Sequence, residues 1–241
     1  MDIDLITNIL YATLRTGTPL ILIALGEMVC EKSGVLNLGQ EGMLLVGAVV
    51  GFIAAYVTGS YGLGVALAMI GGSAMALLFG WLSITLATNQ IATGLALTIF
   101  GGGLSAFIGA SYVGIGLEGI QSIYIPVLSD IPVIGRLLFQ HDPLVYLSFV
   151  LFLAIYWVFR STRLGLSIRA VGENPEAANA IGIPVQTIRY GAVLFGGAMT
   201  GMAGAYLSLV YTPMWTEGMS AGRGWIALAL VVFASWKAER I

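Results

Sequence analysis

The sequence predicts an all-α polytopic membrane protein of about seven transmembrane helices, and three observations carry that prediction. Of the 241 residues, 58% are hydrophobic and only 9% are charged, whereas a soluble domain carries roughly a quarter charged residues. Mean hydropathy is +0.95. Between Glu41 and Glu118 there is no charged residue at all. No single core in a chain of this length could hide so much apolar surface, so lipid is the solvent for most of it. Lipid cannot satisfy open backbone groups, and no barrel-like alternation of polar and apolar residues is visible, which leaves helices. Residues 1–241 read as one transmembrane domain.

The first span is an apolar piece from Leu5 to Val29, interrupted by Arg15 and Pro19. The uncharged stretch after Glu41 is too long for one crossing, since about 20 residues traverse the hydrocarbon core. It breaks at Thr58-Gly59-Ser60 and at Thr88-Asn89-Gln90, giving spans over 42–58, 62–86 and 91–111. Further spans are predicted over 143–159, 188–211 and 224–236. Gly47-x-x-x-Gly51 and Gly197-x-x-x-Gly201 each place two glycines on one helix face, where helices can approach closely.

Charge placement orients these spans. With the N-terminus outside, the inner loops hold Lys32, Arg160, Arg163, Arg169, Arg189, Lys237 and Arg240, and the outer loops only Arg136 and Arg223. Cytoplasmic loops are enriched in Lys and Arg, so the N-terminus is expected outside and the C-terminus in the cytoplasm. Arg15 fits neither side easily. Either residues 5–14 lie along the outer interface, or Arg15 pairs with a carboxylate inside the bundle.

Composition also excludes classes. The net charge of −2 offers no basic patch for nucleic acid. One cysteine, Cys30, allows no internal disulfide. The acidic start Met1-Asp2-Ile3-Asp4 lacks the positive region of a cleaved signal peptide. Gly26-x-x-x-x-Glu31-Lys32-Ser33 differs from a phosphate-binding loop by one residue, but Glu31 would repel phosphate and no strand precedes it. Gly114-x-Gly116-x-x-Gly119 matches the dinucleotide fingerprint by letter only. His141 is the single histidine, too few for a multi-histidine metal site, and no Gly-x-Ser-x-Gly elbow occurs.

Two polar regions stand out. Glu27, Glu31, Asn37, Gln40 and Glu41 crowd a glycine-rich stretch between the first two spans. Polar groups at a membrane edge mark a pathway or an interface, and irregular backbone at depth must line a cavity or be buried in protein. An ordinary inner loop is the alternative. Asn89, Gln90 and Thr93 pose the same choice between helix–helix hydrogen bonding and contact with a passing solute. The candidate path residues are therefore Asn37, Gln40, Glu41, Asn89, Gln90 and Thr93.

The second region is the hydrophilic segment 160–187. Asn174 is a good N-cap, Pro175 suits the first helical position, and Glu176 complements the positive end of the helix dipole. Gly182 suits the position after the helix and Pro184 blocks continuation. A helix of about two turns is thus predicted over 174–181, with Ala177, Ala180 and Ile181 on one face. Isolated helices this short are unstable in water, so its own loops or a partner protein must hold it.

This segment, Arg163-Leu-Gly-x-x-x-Arg169-Ala-x-Gly-Glu173-Asn174-Pro175-x-Ala177-Ala178-x-x-x-Gly182-Ile183, resembles the cytoplasmic loop of permeases in the branched-chain amino acid and ribose/simple-sugar group of ABC importers. Gly26-Glu27 through Gly42-Met43, Ala87-Thr88-Asn89-Gln90-Ile91-Ala92-Thr93-Gly94, and Gly222-Arg223-Gly224-Trp225-Ile226-Ala227-Leu228-Ala229 agree, in the same order along most of the chain. The likeness is strongest to nucleoside and simple-sugar permeases that work with a lipoprotein receptor.

The resemblance implies a permease in the cytoplasmic membrane that moves a nucleoside or simple sugar. It holds no ATPase site or cofactor of its own. Its implied partners are cytoplasmic ABC ATPase subunits, a second and often non-identical permease subunit, and an external solute-binding lipoprotein. Arg163, Arg169, Glu173, Asn174, Pro175, Glu176, Ala177, Ala178 and Gly182 would then couple to the ATPase. Members of the group continue with further spans, so this chain is expected to fall short of the full family fold at its C-terminal end. The rival reading is an ion-coupled secondary transporter of a small polar solute. Such carriers place ionisable residues inside spans, and residues 42–117, 143–159 and 190–211 offer none.

Overall fold

The computed structural model describes residues 3–129, 131 and 133–240; the first two residues of the acidic start lie outside them. Among the described residues the chain is helical, with only isolated β-bridges between 113–116 and 214–215. Six helical segments are long and apolar enough to cross a bilayer. They are α1 (Ile3–Lys32), α2 (Gln40–Thr58), α3 (Tyr61–Gly80) with a π-helical extension to Thr85, α4 (Gln90–Gly109), α6 (Pro143–Ser161) and α9 (Val185–Tyr206) with a π-helical extension to Tyr211. Shorter helices are α5 (Ile134–Phe139), α7 (Arg163–Glu173), α8 (Pro175–Ala180) and α10 (Arg223–Phe233).

The caps are written in the sequence. Asn89 Oδ1 accepts the Ala92 N–H at 3.0 Å, and Asp142 Oδ1 accepts those of Leu144 and Val145 at 3.1 Å ahead of Pro143. Thr162 Oγ1 accepts from Gly165 at 3.1 Å, and Asn174 Oδ1 from Ala177 at 3.0 Å. Each satisfies a donor that the first helical turn leaves orphaned.

Packing is organised around α9, whose span is 83% buried against 22% for α6. Glycines make this possible. A Cβ placed on Gly47 would lie 2.5 Å from the Gly201 Cα, and one on Gly197 would lie 2.6 Å from the Gly72 carbonyl. The two predicted glycine faces are thus real contacts, of α2 and α3 against α9. Gly26 approaches Gly196 in the same way between α1 and α9. The outer surfaces stay apolar, with Ile99 78% and Phe107 82% exposed on α4, where lipid covers them.

The predicted seventh span differs from the other six. Residues 212–222 hold turns and isolated bridges, and α10 follows with only 11 residues, about 16 Å of rise against a core of about 30 Å. Segment 160–187 also holds more structure than one short helix. The predicted helix is present as α8, and α7 precedes it, burying Gly165, Ile168 and Val171.

Candidate functional site

After Lys32 the chain does not run out into a loop. Gly34, at φ +82°, turns it back, and residues 35–39 climb inside the bundle. The Asn37 N–H donates to Glu27 Oε1 at 2.8 Å. The Gln40 amide donates to Glu27 Oε2, and Gln40 Oε1 accepts from the Thr200 hydroxyl. Glu27, Asn37, Gln40 and Thr200 are all fully buried. Thr200 lies about 22 Å along α9 from Val185, so this network sits at membrane depth, enclosed by protein as irregular backbone there must be. Sequence reasoning identified Asn37 and Gln40 but not Thr200, because nothing in one sequence pairs residues 160 positions apart.

Glu41 is the hinge of the arrangement. Its Oε1 accepts the Gly222 N–H at 2.8 Å and its Oε2 the Gly224 N–H at 2.6 Å. These donors are the orphan amides at the N-terminus of α10, so an acidic side chain of α2 caps a half-length helix from another part of the chain, where the helix dipole favours it. Gly224 has to be glycine: a Cβ there would lie 2.6 Å from Glu41 Oε2 and 2.7 Å from the Glu41 nitrogen. Arg223 closes its own loop by donating to the Met219 and Ser220 carbonyls.

The other path candidates gather at the N-terminal end of α4. Gln90 Oε1 accepts the Leu36 N–H at 2.8 Å, tying α4 to the climbing segment. Asn89 is exposed and caps α4, while Thr93 bonds both the Asn89 carbonyl and Thr88. The chain therefore brings Asn37, Gln40 and Glu41 into one buried region and keeps Asn89, Gln90 and Thr93 together nearer the surface.

At the same end, α7 rests on α1. A Cβ on Gly172 would lie 2.2 Å from the Lys32 carbonyl. Beyond it, α8 presents Ala177, Ala180 and Ile181 outward, Ile181 being 76% exposed, whereas Ala178 is buried and anchors the helix from beneath. Arg163, Arg169, Glu173 and Glu176 are exposed. Gly182 adopts φ +84° and ends the helix. A cavity of about 570 Å³ lies beside α8, lined by Pro175, Glu176, Asn179, Gln186 and Arg189 among others.

Arg15 takes a course between the two expected for it. It donates to the Val210 carbonyl at 3.2 Å and lines a polar chamber of about 190 Å³ with Glu118 and Asp142. Burial pushes the Asp142 carboxyl above its ordinary range, against the pull of its backbone donors and of nearby Arg15. The folded chain thus holds that proton more tightly than the unfolded one. From about pH 4, the ordinary aspartate value, up to the raised value, this group's contribution to stability falls as pH rises, and it is flat above. Asp142→Asn is expected to remove that slope from pH-dependent thermal unfolding in detergent. An unaltered slope would mean that another group sets it.

The residues of the rejected motifs have structural work. Gly26 packs on Gly196, Glu31 accepts the Trp236 indole N–H, and Gly119 accommodates Pro213. His141 stacks on Tyr11 with ring centroids 4.6 Å apart.

Comparison with known proteins is consistent along the whole chain. The family described as branched-chain amino acid transport system / permease component matches residues 9–239. A putative glucose ABC transporter permease of Haloferax volcanii, TsgC13, is 42% identical over 97% of this chain and 72% of its own length. The guanosine ABC transporter permease NupQ of Bacillus subtilis is 34% identical over 98% of this chain and 78% of its own. The nucleoside ABC transporter permease NupC of Lactococcus lactis is 31% identical over 91% and 73%. No solved structure matches.

Proposed function

Since this chain belongs to the branched-chain amino acid transport system permease family, as a multi-pass subunit of an ABC importer, we propose that it moves a neutral nucleoside or simple sugar inward, driven by a separate ATPase. The relatives named for glucose, guanosine and nucleosides support that solute class. We place the N-terminus outside and the C-terminus in the cytoplasm. A second permease subunit and an external binding protein complete the assembly, and ATP is hydrolysed on the partner chain.

The observation that carries this reading is the free apolar face of α8. A two-turn helix is marginal alone, yet this one is capped by Asn174, anchored by Ala178, and leaves Ile181 in the open at the arginine-rich end. That is a surface made to be gripped. Closure of the ATPases would move α8, and α7 would carry the motion to the Lys32–Gly34 turn and so to the Glu27 network. A rigid-body change of this kind switches access from one side to the other. Asn89, Gln90 and Thr93 would border the path, and Asn37, Gln40 and Glu41 would hold its walls.

Ile181→Asp should abolish co-purification of the ATPase while leaving membrane insertion intact. Truncating one central apolar contact of an interface typically costs about 2 kcal/mol or more, roughly thirtyfold in affinity. Cysteine introduced at Ile181, unlike at buried Ala178, should react with a reagent supplied from the cytoplasmic side only. Labelling from outside would overturn the orientation and the coupling role together. Uptake that survives an uncoupler but stops on ATP depletion separates this reading from an ion-coupled carrier.

A further inference from the structure

Near the inner ends of α1 and α6 lies a second cavity of about 290 Å³ whose contents the transport cycle does not explain. Lys32, Arg160, Arg169 and Lys237 all line it, with Glu239 as its one lining carboxylate; Lys32 and Arg169 also border an adjoining cavity with Glu31 and Glu173. Its floor is apolar, formed by Met28, Phe159 and the buried Ala238. Among the described residues none of the four cations makes a salt bridge; Arg160 donates to the Tyr156 hydroxyl and lies over that ring. With Glu31 and Glu173 beside Lys32 and Arg169, Arg160 and Lys237 are the cations left to this space, and they suit an anion with several acceptor oxygens. Arg160, Arg169 and Lys237 are exposed, yet they border one apolar floor rather than scattering along a loop.

We infer that this cavity binds the phosphate of an anionic phospholipid of the inner leaflet, with the acyl chains leaving along the half-buried Tyr156 and Phe159. Basic pockets between transmembrane helices on the cytoplasmic side are suited to such headgroups. The floor favours a lipid over free phosphate, which would gain nothing from it. The bound lipid would bridge α1, α6, α7 and the segment after α10. It would thereby fix α7, the element on which α8 is mounted. The inference rests on the proposed orientation, but not on the solute or on the ATPase.

The test uses the purified full chain in phosphatidylcholine vesicles with and without phosphatidylglycerol, followed by mild detergent extraction and native mass spectrometry. The unaltered chain should retain phosphatidylglycerol in preference to phosphatidylcholine. Arg160→Gln and Lys237→Gln should each weaken retention roughly fivefold, the equivalent of about 1 kcal/mol per cation. Arg160→Lys should keep it, which separates lost charge from lost folding. Arg163→Gln removes the same charge at the same end but outside the cavity and should have no effect. Equal retention in all variants would overturn the site. Inorganic phosphate that binds in phosphatidylcholine alone, with the same dependence on Arg160 and Lys237, would overturn the lipid and leave only the phosphate chemistry. Loss of ATPase binding in the Arg160 and Lys237 variants, with lipid retention unchanged, would likewise overturn it in favour of a protein contact.

Discussion

Gly201→Leu is expected to prevent the bundle from closing. Gly201 sits where three helices meet: the Gly47 Cβ position on α2 is 2.5 Å from its Cα, and a Cβ on Gly201 itself would lie 2.1 Å from the Ala68 carbonyl of α3. The obstructing atoms are backbone, so no rotamer change relieves the contact, and α3 would have to move away by an ångström or more along its length. Gly72 fails for the same reason, its Cβ falling 2.1 Å from the Gly197 carbonyl. Overpacking a core costs about 1–3 kcal/mol; with four added carbons against two backbones, the upper figure is the lower bound here. Within a membrane there is no hydrophobic drive to compensate, because lipid is as apolar as the side chains, and close packing is what holds helices together. Unfolding in a denaturing detergent should therefore occur at a much lower fraction of detergent than for the unaltered chain. Gly103→Ala on α4, whose Cβ would meet nothing within 4 Å, should be neutral or slightly stabilising through helix propensity. If the two variants behave alike, close approach at Gly201 is not what organises the bundle.

These contacts show how far one sequence can be read. The glycine pairs at 47/51 and 197/201 announced close faces, but not which helix each would meet, since spacing gives direction without a partner. Caps were legible for the same local reason: Asn174, Pro175 and Gly182 each act within four residues of their own position. The short length of α10 was legible, since the apolar run begins only after Glu217 and Arg223; its cap was not, because Glu41 lies 183 residues from Gly224. Nor was the depth of the segment 33–39. Its polar residues suit an inner loop as well as a buried strut, and the choice is made by Glu27, which lies on α1 and accepts from Asn37 and Gln40. Arg15 was a dilemma in sequence because its acceptor, the Val210 carbonyl, is 195 residues away.

Glu41→Ala should release α10 from α2 and stop uptake in cells carrying the complete importer. Each hydrogen bond to a charged group contributes about 1.5–3 kcal/mol, and Glu41 makes two, to amides that have no helical partner of their own. Their loss leaves the buried Gly224 N–H and the half-buried Gly222 N–H unsatisfied, so about 3 kcal/mol of local stability is at stake. Glu41→Gln keeps one acceptor oxygen and presents an NH₂ to the other amide, and should fall between the two. Uptake alone would not say why activity fails, because a residue touching the solute would also stop it. Ser220, buried two positions before Gly222, separates these causes. A cysteine there should be shielded from a membrane-impermeant thiol reagent in the unaltered background and become reactive with Glu41→Ala, with Glu41→Gln intermediate. If uptake falls while Ser220→Cys stays shielded, Glu41 acts on the solute, and the α2–α10 bracket is not its role.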